Sequence, residues 1–190
     1  QPIEHLASLR LMPHLHLWRP ADALETAVAW SALIERSDGP GCLVLTRQAL
    51  PQVAAAAAPA HIARGGYVLL DCAGTPELIV IATGSEVSLA LEAVRSAQQQ
   101  GARVRLVSMP CTSVFDAQDA AWRAAVLPSA VERRIAVEAG ATGLWWRYVG
   151  TRGRVLGIDE FGASGKAPEL FRKFGLSSEN VLSAILGSIP

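Results

Sequence analysis

Apolar residues recur along the chain in two spacings, one typical of strands and one typical of helices. Short, nearly continuous apolar runs predict strands at residues 15–18, 42–46, 78–82, 104–108, 134–138 and 154–158. Between these runs, helices are predicted at residues 2–11, 22–37, 86–100, 116–126, 168–174 and 177–189. This alternation is typical of an α/β fold with mostly parallel sheets flanked by helices.

The helix after residue 21 has the clearest start signal. Asp22 can accept hydrogen bonds from the free amides of the first turn, and Glu25 stands three positions later, as in a capping box. Four apolar residues fall on one face of this helix, which we expect to be the buried face: Ala23, Ala27, Trp30 and Ile34. The pattern therefore predicts a capped amphipathic helix that packs through this stripe.

Residues 48–65 differ in amino-acid composition from the segments on either side and divide the chain. Pro51, the alanine run 54–58, Pro59 and Gly65-Gly66 predict a linker with at most one irregular helix. Residues 1–47 are then the end of one α/β domain, and residues 66–190 form a small complete one. Residues 1–47 contain only two predicted strands, too few for a parallel sheet covered on both faces. We therefore expect the first domain to be truncated, with its remainder upstream.

Composition and charge exclude some classes of function for this chain. The chain has 190 residues with 17 Lys and Arg against 17 Asp and Glu, so no cationic surplus indicates a nucleic-acid partner. No apolar run approaches the ~20 residues of a membrane-spanning helix, and we expect no membrane partner. The three cysteines, Cys42, Cys72 and Cys111, form no Cys-x-x-Cys pair. Buried thiols in a reducing cytoplasm are the simplest interpretation.

Arg47 is the strongest single candidate for a functional residue. It directly follows the predicted strand 42–46, and ligands of open α/β sheets bind outside the carboxyl ends of the strands. A guanidinium at that edge is a bidentate partner for phosphate or carboxylate. A surface arginine paired with a neighbouring acid would look the same in the sequence. From its position alone, both interpretations stay open.

Two loops could hold an anion in principle. The strand-to-helix turn Thr83-Gly84-Ser85 has free amides, but it lacks the spacing Gly-x-Gly-x-x-Gly, and Ser85 as a plain helix cap is the favoured interpretation. The segment from Gly162 to Ala167 resembles a phosphate loop superficially. Its glycine spacing is wrong, and Ala167 stands where a hydroxyl would hold magnesium, so we exclude that function.

The remaining polar and aromatic candidates favour structural roles. His14 and His16 lack a third ligand for a metal, and Asp159-Glu160 is expected to be a solvated acidic loop. Trp145, Trp146 and Tyr148 are expected in the core or at a subunit interface. No nucleophile, base and orienting group come together, so the residues by themselves predict no catalytic residue and no metal ligand.

A series of motifs nevertheless resembles the transketolases, in order and spacing, over essentially the whole chain. The motifs are Gln1-Pro2-Ile3-Glu4, Leu6-Ala7-Ser8-Leu9-Arg10, Arg19-Pro20-Ala21-Asp22, Glu25-Thr26-Ala27, Asp38-Gly39-Pro40, Arg47-Gln48, residues 63–69, residues 82–87, residues 107–110, residues 136–140, Tyr148-Val149-Gly150 and Phe161-Gly162-Ala163-Ser164. The similarity corresponds to the last third of such a chain, namely the end of the pyrimidine-binding domain and the C-terminal domain.

The resemblance implies a cytoplasmic, homodimeric enzyme of the pentose phosphate pathway. Such an enzyme moves a two-carbon ketol unit from a ketose phosphate to an aldose phosphate, with thiamine diphosphate and Mg²⁺ or another divalent metal. The resemblance also implies that Arg47 binds the substrate phosphate, because it occupies the arginine of the family's Ser-Arg-Gln stretch, with Thr46 in place of the serine. It implies no catalytic, cofactor or metal residue within this chain.

Those missing groups are expected upstream of Gln1, so we expect the chain alone to be inactive. Two alternatives stay open. Other thiamine-diphosphate enzymes, namely deoxyxylulose-phosphate synthases and the β-subunits of 2-oxo-acid dehydrogenases, share the domain plan but fit the Arg47-Gln48 region less well. A non-catalytic module is the other alternative, with residues 66–190 binding a nucleotide-like regulator near Gly84.

Overall fold

The computed structural model describes residues 2–189. The helices in this part are α1 (His5–Arg10), α2 (Ala23–Glu35), α3 (Pro59–Ile62), α4 (Glu86–Gln99), α5 (Thr112–Asp116), α6 (Ala120–Val126), α7 (Trp146–Val149), α8 (Ala167–Lys173) and α9 (Ser178–Leu186), with a 3₁₀ turn at Thr142–Trp145. The strands are β1 (His16–Trp18), β2 (Gly41–Leu43), β3 (Tyr67–Leu70), β4 (Leu78–Ala82), β5 (Val104–Ser108), β6 (Arg134–Val137) and β7 (Arg154–Leu156).

The strands form two sheets. In the first, β1 and β2 pair in parallel, with His16 opposite Gly41 and Trp18 opposite Leu43. The second sheet has the order β3-β5-β4-β6-β7, and only β3 is antiparallel to its neighbour. The predicted α/β fold with mostly parallel sheets flanked by helices is confirmed.

The central strand β4 is buried along its whole length. Leu78, Val80 and Ala82 pack on one face of the sheet against α4 and α9. Ile79 and Ile81 point to the opposite face, where Phe115, Trp145 and Tyr148 cover them. Because both faces are covered, the strand consists of apolar residues throughout, without the alternation of apolar and polar residues of a half-exposed strand.

The predicted packing face of α2 is wrong. All four residues of the apolar stripe are exposed, including Trp30 at 53% and Ile34 at 75%. The fully buried positions are Glu25 and Ala29. The physical reason is that Glu25 accepts hydrogen bonds from residues of the second sheet, so this polar side of the helix turns inward.

Two predicted elements have different bounds. The buried strand expected at 42–46 is the shorter β2, which is half-exposed, and Leu45 beyond it is 53% exposed. With β1 as its only partner among residues 2–189, β2 has little to cover it. The helix expected at 116–126 is the shorter α6, which starts at Ala120 because Asp119 caps it by accepting from the Trp122 amide at 2.8 Å; α5 ends at Asp116, before it.

The strand β3 was not predicted. It begins directly after Gly65-Gly66 and runs antiparallel to β5, with Tyr67 opposite Ser108. The linker before it contains α3, the one short helix that the sequence allows there. The boundaries 1–47, 48–65 and 66–190 stay a prediction.

Candidate functional site

Arg47 lies at a cavity of about 550 Å³ between two distant parts of the chain. Thr46, Arg47 and Gln48 form one wall. The other wall is formed by a loop and the helix after it: Ala163, Ser164, Gly165, Ala167, Leu170 and Phe171. The volume is in the range of small-molecule sites, roughly 300–1,000 Å³. The loop that follows β2 therefore faces the segment 163–167, which the sequence analysis excludes as a phosphate loop.

The turn that carries Arg47 is held by a threonine side chain. The Thr46 hydroxyl oxygen accepts from the backbone amide of Gln48 at 3.1 Å and from the Gln48 side-chain amide at 3.2 Å. Such side-chain-to-backbone bonds fix a turn locally. The chain around Arg47 is thus defined by its own residues, even though the segment is exposed.

The electrostatic surroundings of Arg47 are suited to an anionic ligand. Arg47 itself is exposed, and within residues 2–189 no carboxylate forms a salt bridge with it. None of the residues that line the cavity is acidic. A guanidinium offers five N–H donors in a planar fork that matches phosphate or carboxylate oxygens. The interpretation of Arg47 as half of a surface ion pair gains no support from this geometry.

A second cavity, of about 230 Å³, shares Thr46, Gln48 and Phe171 with the first. Arg19 and the turn at Gly84 and Ser85 also line it. The two cavities form a cleft between the first sheet and the helices of the second. Residues from both parts of the chain therefore contribute to its walls.

The turn at Gly84, a candidate anion site in the sequence, is occupied by a side chain of the protein. Gly84 has φ +58°, and a Cβ there would lie 2.8 Å from the Arg19 Cζ, so the guanidinium packs directly on the glycine. Arg19 also donates to the Thr83 carbonyl at 3.0 Å. Ser85 stands at the helix-cap position, but its hydroxyl bonds to Glu86 and caps no amide. Arg19 thus takes the place that an anion-binding turn would leave open.

A buried cluster of four charges joins the first residues of the chain to the second sheet. Arg10 binds Glu138 through two parallel bonds of 2.7 and 2.8 Å. Arg19 pairs with Glu86 and lies 3.5 Å from Glu138. The four side chains are almost completely removed from solvent, and their formal charges cancel.

Hydrogen bonds complete this cluster. The Trp145 indole N–H donates to Glu138 at 2.7 Å, and the Ala139 amide donates to Glu86 at 2.9 Å. Burial alone would raise the pKa of Glu138, but the charges of Arg10 and Arg19 and the bonds from Arg10 and Trp145 outweigh it, and the pKa lies below its ordinary value. Glu138 is therefore ionised at neutral pH.

A second buried group lies under α2. The carboxylate of Glu25 accepts from the Tyr67 hydroxyl at 2.8 Å, the Ser108 hydroxyl at 2.5 Å and the Ala21 amide at 2.7 Å. Burial raises the pKa of Glu25, and these donors only partly offset that effect. Asp22 caps α2 as predicted, accepting from the Glu25 amide at 3.0 Å. The linker is held as well, because Asp22 also accepts from the Ala54 amide at 2.6 Å.

The other sequence candidates have structural surroundings. Asp159 accepts from the amide and the hydroxyl of Thr142 at 2.8 and 2.7 Å. Trp145 and Tyr148 are buried core residues as expected, whereas Trp146 is half-exposed. Among residues 2–189, no group of three or more His, Cys, Asp or Glu side chains comes together as a metal site would need.

The charged cluster was not predicted from the sequence. Arg10 and Glu138 are 128 positions apart, so no local pattern relates them. A weak signal was present, because Glu138 ends a buried apolar strand, and a charge there needs a partner. The partner itself could be found only from the fold.

These features define an α/β protein in which a small parallel sheet and a larger, mostly parallel sheet enclose a cleft, with an arginine that has no salt-bridge partner among residues 2–189. Family models give this class a name. Residues 65–177 match the transketolase-like C-terminal domain, and residues 1–53 match the transketolase pyrimidine-binding domain. The chain therefore belongs to the transketolase family, as the resemblance of its motifs predicts.

Individual relatives agree with the family models. The chain is 54% identical over 184 residues to transketolase 2 of Aliivibrio fischeri and 54% identical over 183 residues to transketolase 1 of Vibrio cholerae, covering 96% of this chain in each case. A transketolase of Pichia stipitis, solved in complex with sedoheptulose-7-phosphate, superposes with a TM-score of 0.90 at 39% identity. That match covers 99% of this chain and 27% of the other. The chain spans 28% of the length of the two bacterial relatives.

Across residues 2–189, no helix combines the length and the apolar character that crossing a bilayer requires.

Proposed function

We propose that this chain is the substrate-anchoring part of a thiamine-diphosphate-dependent transketolase. Such an enzyme transfers a two-carbon ketol unit from a ketose phosphate to an aldose phosphate. The observation that carries the proposal is Arg47, exposed at a cavity without acidic lining and without an ion pair among residues 2–189. The sugar phosphate bound in the Pichia stipitis relative supports the same class of ligand.

In this proposal Arg47 acts by binding and orientation. Its guanidinium holds the phosphate through two parallel N–H···O bonds, which fix both the position and the direction of that end of the sugar. Holding the far end places the reacting carbon reproducibly and lowers the entropic part of the barrier. Arg47 is accordingly a binding residue and takes no part in bond making.

The cofactor is part of the proposal but not of this chain's own chemistry. Thiamine diphosphate supplies the carbanion chemistry of such enzymes. The residues described here offer no metal-ligand cluster for the Mg²⁺ that would accompany the diphosphate. We therefore assign phosphate anchoring to this chain and no step of the ketol transfer.

The proposal includes the setting of the enzyme. We propose a homodimer in the cytoplasm, acting in the pentose phosphate pathway, with Mg²⁺ or another divalent metal beside the cofactor. We also propose that residues 1–47 complete a pyrimidine-binding domain and that residues 66–190 form the C-terminal domain. The chain by itself should show no ketol transfer when thiamine diphosphate and magnesium are added, and robust turnover would contradict this.

Arg47→Ala, made in the enzyme that contains this chain, tests the phosphate contact. Loss of a charged hydrogen-bond partner is worth about 1.5–3 kcal/mol, so KM for phosphorylated sugars should rise roughly ten- to hundredfold. Unphosphorylated donors should react almost unchanged. The matched control is Arg95→Ala, since Arg95 is also exposed and without a salt bridge among residues 2–189, but lies on α4 outside both cavities.

The comparison of donors decides the role of Arg47. A loss confined to phosphorylated sugars supports phosphate binding. Equal losses for both kinds of donor would mean that Arg47 stabilises the structure and does not recognise phosphate. A loss of the same size in Arg95→Ala would point to overall charge and not to the cavity.

A further inference from the structure

Two neighbouring cavities lie beside the amino ends of β6 and β7, away from the cleft described above. The larger has a volume of about 390 Å³ and the smaller a volume of about 300 Å³. Ser129 and Tyr148 line both of them, so the cavities form one arginine-lined pocket. The arginines in its walls are Arg134 and Arg152 in the larger cavity and Arg123 and Arg147 in the smaller one.

The arginine-lined pocket has a surplus of positive charge. Its two acidic lining residues, Asp116 and Glu132, each pair with one arginine. Arg147 lies 3.1 Å from Asp116, and Arg152 lies 3.0 Å from Glu132. The other two arginines have no salt-bridge partner among residues 2–189. Two positive charges are therefore uncompensated in this pocket, although the whole chain has equal numbers of acidic and basic residues.

Arg134 is a half-buried cation that only backbone carbonyls hold. Its guanidinium donates to the carbonyls of Val131 at 2.9 Å, Tyr148 at 2.8 Å, Pro128 at 2.9 Å and Leu127 at 3.3 Å. These bonds fix the direction of the planar group but do not cancel its charge. Burial lowers the pKa of Arg134 for this reason. An anion in the pocket would supply the counter-charge that the protein itself does not.

The second uncompensated cation, Arg123, is connected to the first through the backbone. Arg123 lies on α6 one turn before Leu127, which lines the same cavity and whose carbonyl accepts from Arg134. Tyr148 links the cavities in the same way, because its carbonyl also accepts from Arg134 while the Cζ of Arg147 lies 5.3 Å from the centre of its ring. The positive charges of the two cavities thus surround one short segment.

We infer that the arginine-lined pocket binds a small molecule through a diphosphate group. Each cavity contains one arginine without an acidic partner among residues 2–189, so each can receive one phosphate group. The pocket is separate from the cleft of Arg47, since Arg134 begins β6 whereas Ala139, just beyond the other end of that strand, lines the cleft. The inference is therefore independent of the function proposed for Arg47.

Calorimetric titration of the full chain with inorganic pyrophosphate tests this binding. The titration is done in the unaltered chain and in Arg47→Ala, which removes the phosphate contact proposed above. We expect saturable binding that persists in Arg47→Ala. Inorganic phosphate, compared at the same ionic strength, should bind at least about tenfold more weakly, because it can occupy only one of the two cavities.

Arg123→Ala locates the ligand without disturbing the fold, because the side chain is exposed and no salt bridge within residues 2–189 includes it. It should weaken pyrophosphate binding by about two- to fivefold, the size expected for an exposed charge pair. Arg95→Ala is the matched control, since Arg95 is also exposed on a helix and without such a partner in that range, but lines neither cavity. It should leave binding unchanged.

Chemical modification gives a second readout on the unaltered chain. Phenylglyoxal modifies accessible arginines, and peptide mass spectrometry follows each one separately. We expect pyrophosphate to slow the modification of Arg123 and to leave that of Arg95 unchanged.

The contrary outcomes are distinct. Binding that disappears in Arg47→Ala would place pyrophosphate in the cleft, which overturns this inference and leaves the proposed function intact. Equal effects of Arg123→Ala and Arg95→Ala, or no protection of Arg123, would mean that only net charge matters. Equal affinities for phosphate and pyrophosphate would overturn the assignment of a diphosphate, and the absence of saturable binding would overturn the site itself.

Discussion

The variant Arg10→Met tests whether the buried charged cluster holds the first residues of the chain to the second sheet. Methionine keeps an unbranched side chain of similar reach but removes the charge and both donors to Glu138. Glu138 would keep the Trp145 indole at 2.7 Å and the more distant Arg19 at 3.5 Å. The variant therefore leaves a buried carboxylate with about half of its partners.

The size of the effect follows from the bonds that are lost. Arg10 makes two charge-assisted bonds to Glu138, at 2.7 and 2.8 Å, and each such bond is worth about 1.5–3 kcal/mol. Removing one partner of a buried ion pair typically costs about 3–5 kcal/mol. The guanidinium also lies 5.5 Å from the centre of the Trp145 ring, a contact that the methionine sulfur can partly replace. We expect a loss of about 3–5 kcal/mol in the free energy of unfolding.

Urea unfolding at neutral pH measures this loss through the midpoint and slope of the transition. Arg152→Met is the matched control, because Arg152 pairs with Glu132 at 3.0 Å while both side chains are largely exposed. An exposed pair contributes less than about 1 kcal/mol. The two variants remove the same kind of group and differ in burial.

The pH dependence provides a second signature. The pKa of Glu138 lies below its ordinary value, because the arginines outweigh the opposite effect of burial. A depressed pKa in the folded state gives stability that is present above the unfolded pKa of about 4.3 and is lost as the pH falls through the folded pKa. The difference between the unaltered chain and Arg10→Met should therefore be full at pH 7 and shrink below about pH 4.

If Arg10→Met cost no more stability than Arg152→Met, the buried cluster would not hold the two parts together. A difference between wild type and variant that stays constant down to acidic pH would also contradict this role, since the loss would then come from packing and not from the charge of Glu138. A large loss that disappears in acid supports the cluster as the main link between the two parts.

Two further predictions concern the same interface. Tyr67→Phe removes a donor to Glu25, a carboxyl whose pKa burial already raises. Because the carboxylate loses a charge-assisted hydrogen bond, the free energy of unfolding at pH 7 should fall by about 1.5–3 kcal/mol. The cost should shrink in acid as Glu25 is protonated, which urea titrations at both pH values would detect. Gly84→Ala adds left-handed backbone strain of about 1–2 kcal/mol and places a Cβ 2.8 Å from the Arg19 Cζ. Gly74→Ala is the control, because Gly74 has φ +74° but no atom within 4 Å of the added Cβ, so this variant adds only the strain. Thermal unfolding should show a clearly larger loss of stability for Gly84→Ala, and equal losses would contradict the close packing of Arg19.

The sequence predicted the strands of the second sheet well, because burial on both faces leaves an unambiguous mark. In β4 all five residues are buried, and the apolar run 78–82 coincides with the strand. The edge strand β3 is also a run of four apolar residues, Tyr67–Leu70, but it has one neighbour and directly follows the glycine pair at the end of the predicted linker. Its pairing with β5 depends on contacts that are remote along the chain.

The packing of α2 shows why periodicity alone can mislead. A helical wheel gives the direction of an apolar stripe but not the surface that covers it. Here the buried side carries Glu25, whose cost of burial is partly offset by donors 42 and 83 positions away, Tyr67 and Ser108. No local sequence pattern predicts those donors. The capping role of Asp22 was predicted correctly because its partner lies three residues away.

For the same reason, only one wall of the candidate site could be predicted from the sequence. Arg47 could be identified from its place after a strand and from the motif that contains it, both of which are local. The opposite wall, residues 163–167, lies more than one hundred positions further along the chain, and its own motif excluded a phosphate loop. The position of this loop opposite Arg47 becomes evident only from the fold.

The charged interface and the cleft are connected through Arg19. Its guanidinium pairs with Glu86, packs on Gly84 and lines the cavity that shares Thr46 with the site of Arg47. The loop of Arg47 follows the first sheet, and the loop 163–167 on the opposite wall follows the second. Their separation therefore depends on how the two parts are fixed to each other. Charge-assisted hydrogen bonds depend on direction as well as distance, which apolar contacts do not. An interface built on them therefore defines one relative placement of the two walls of the cleft.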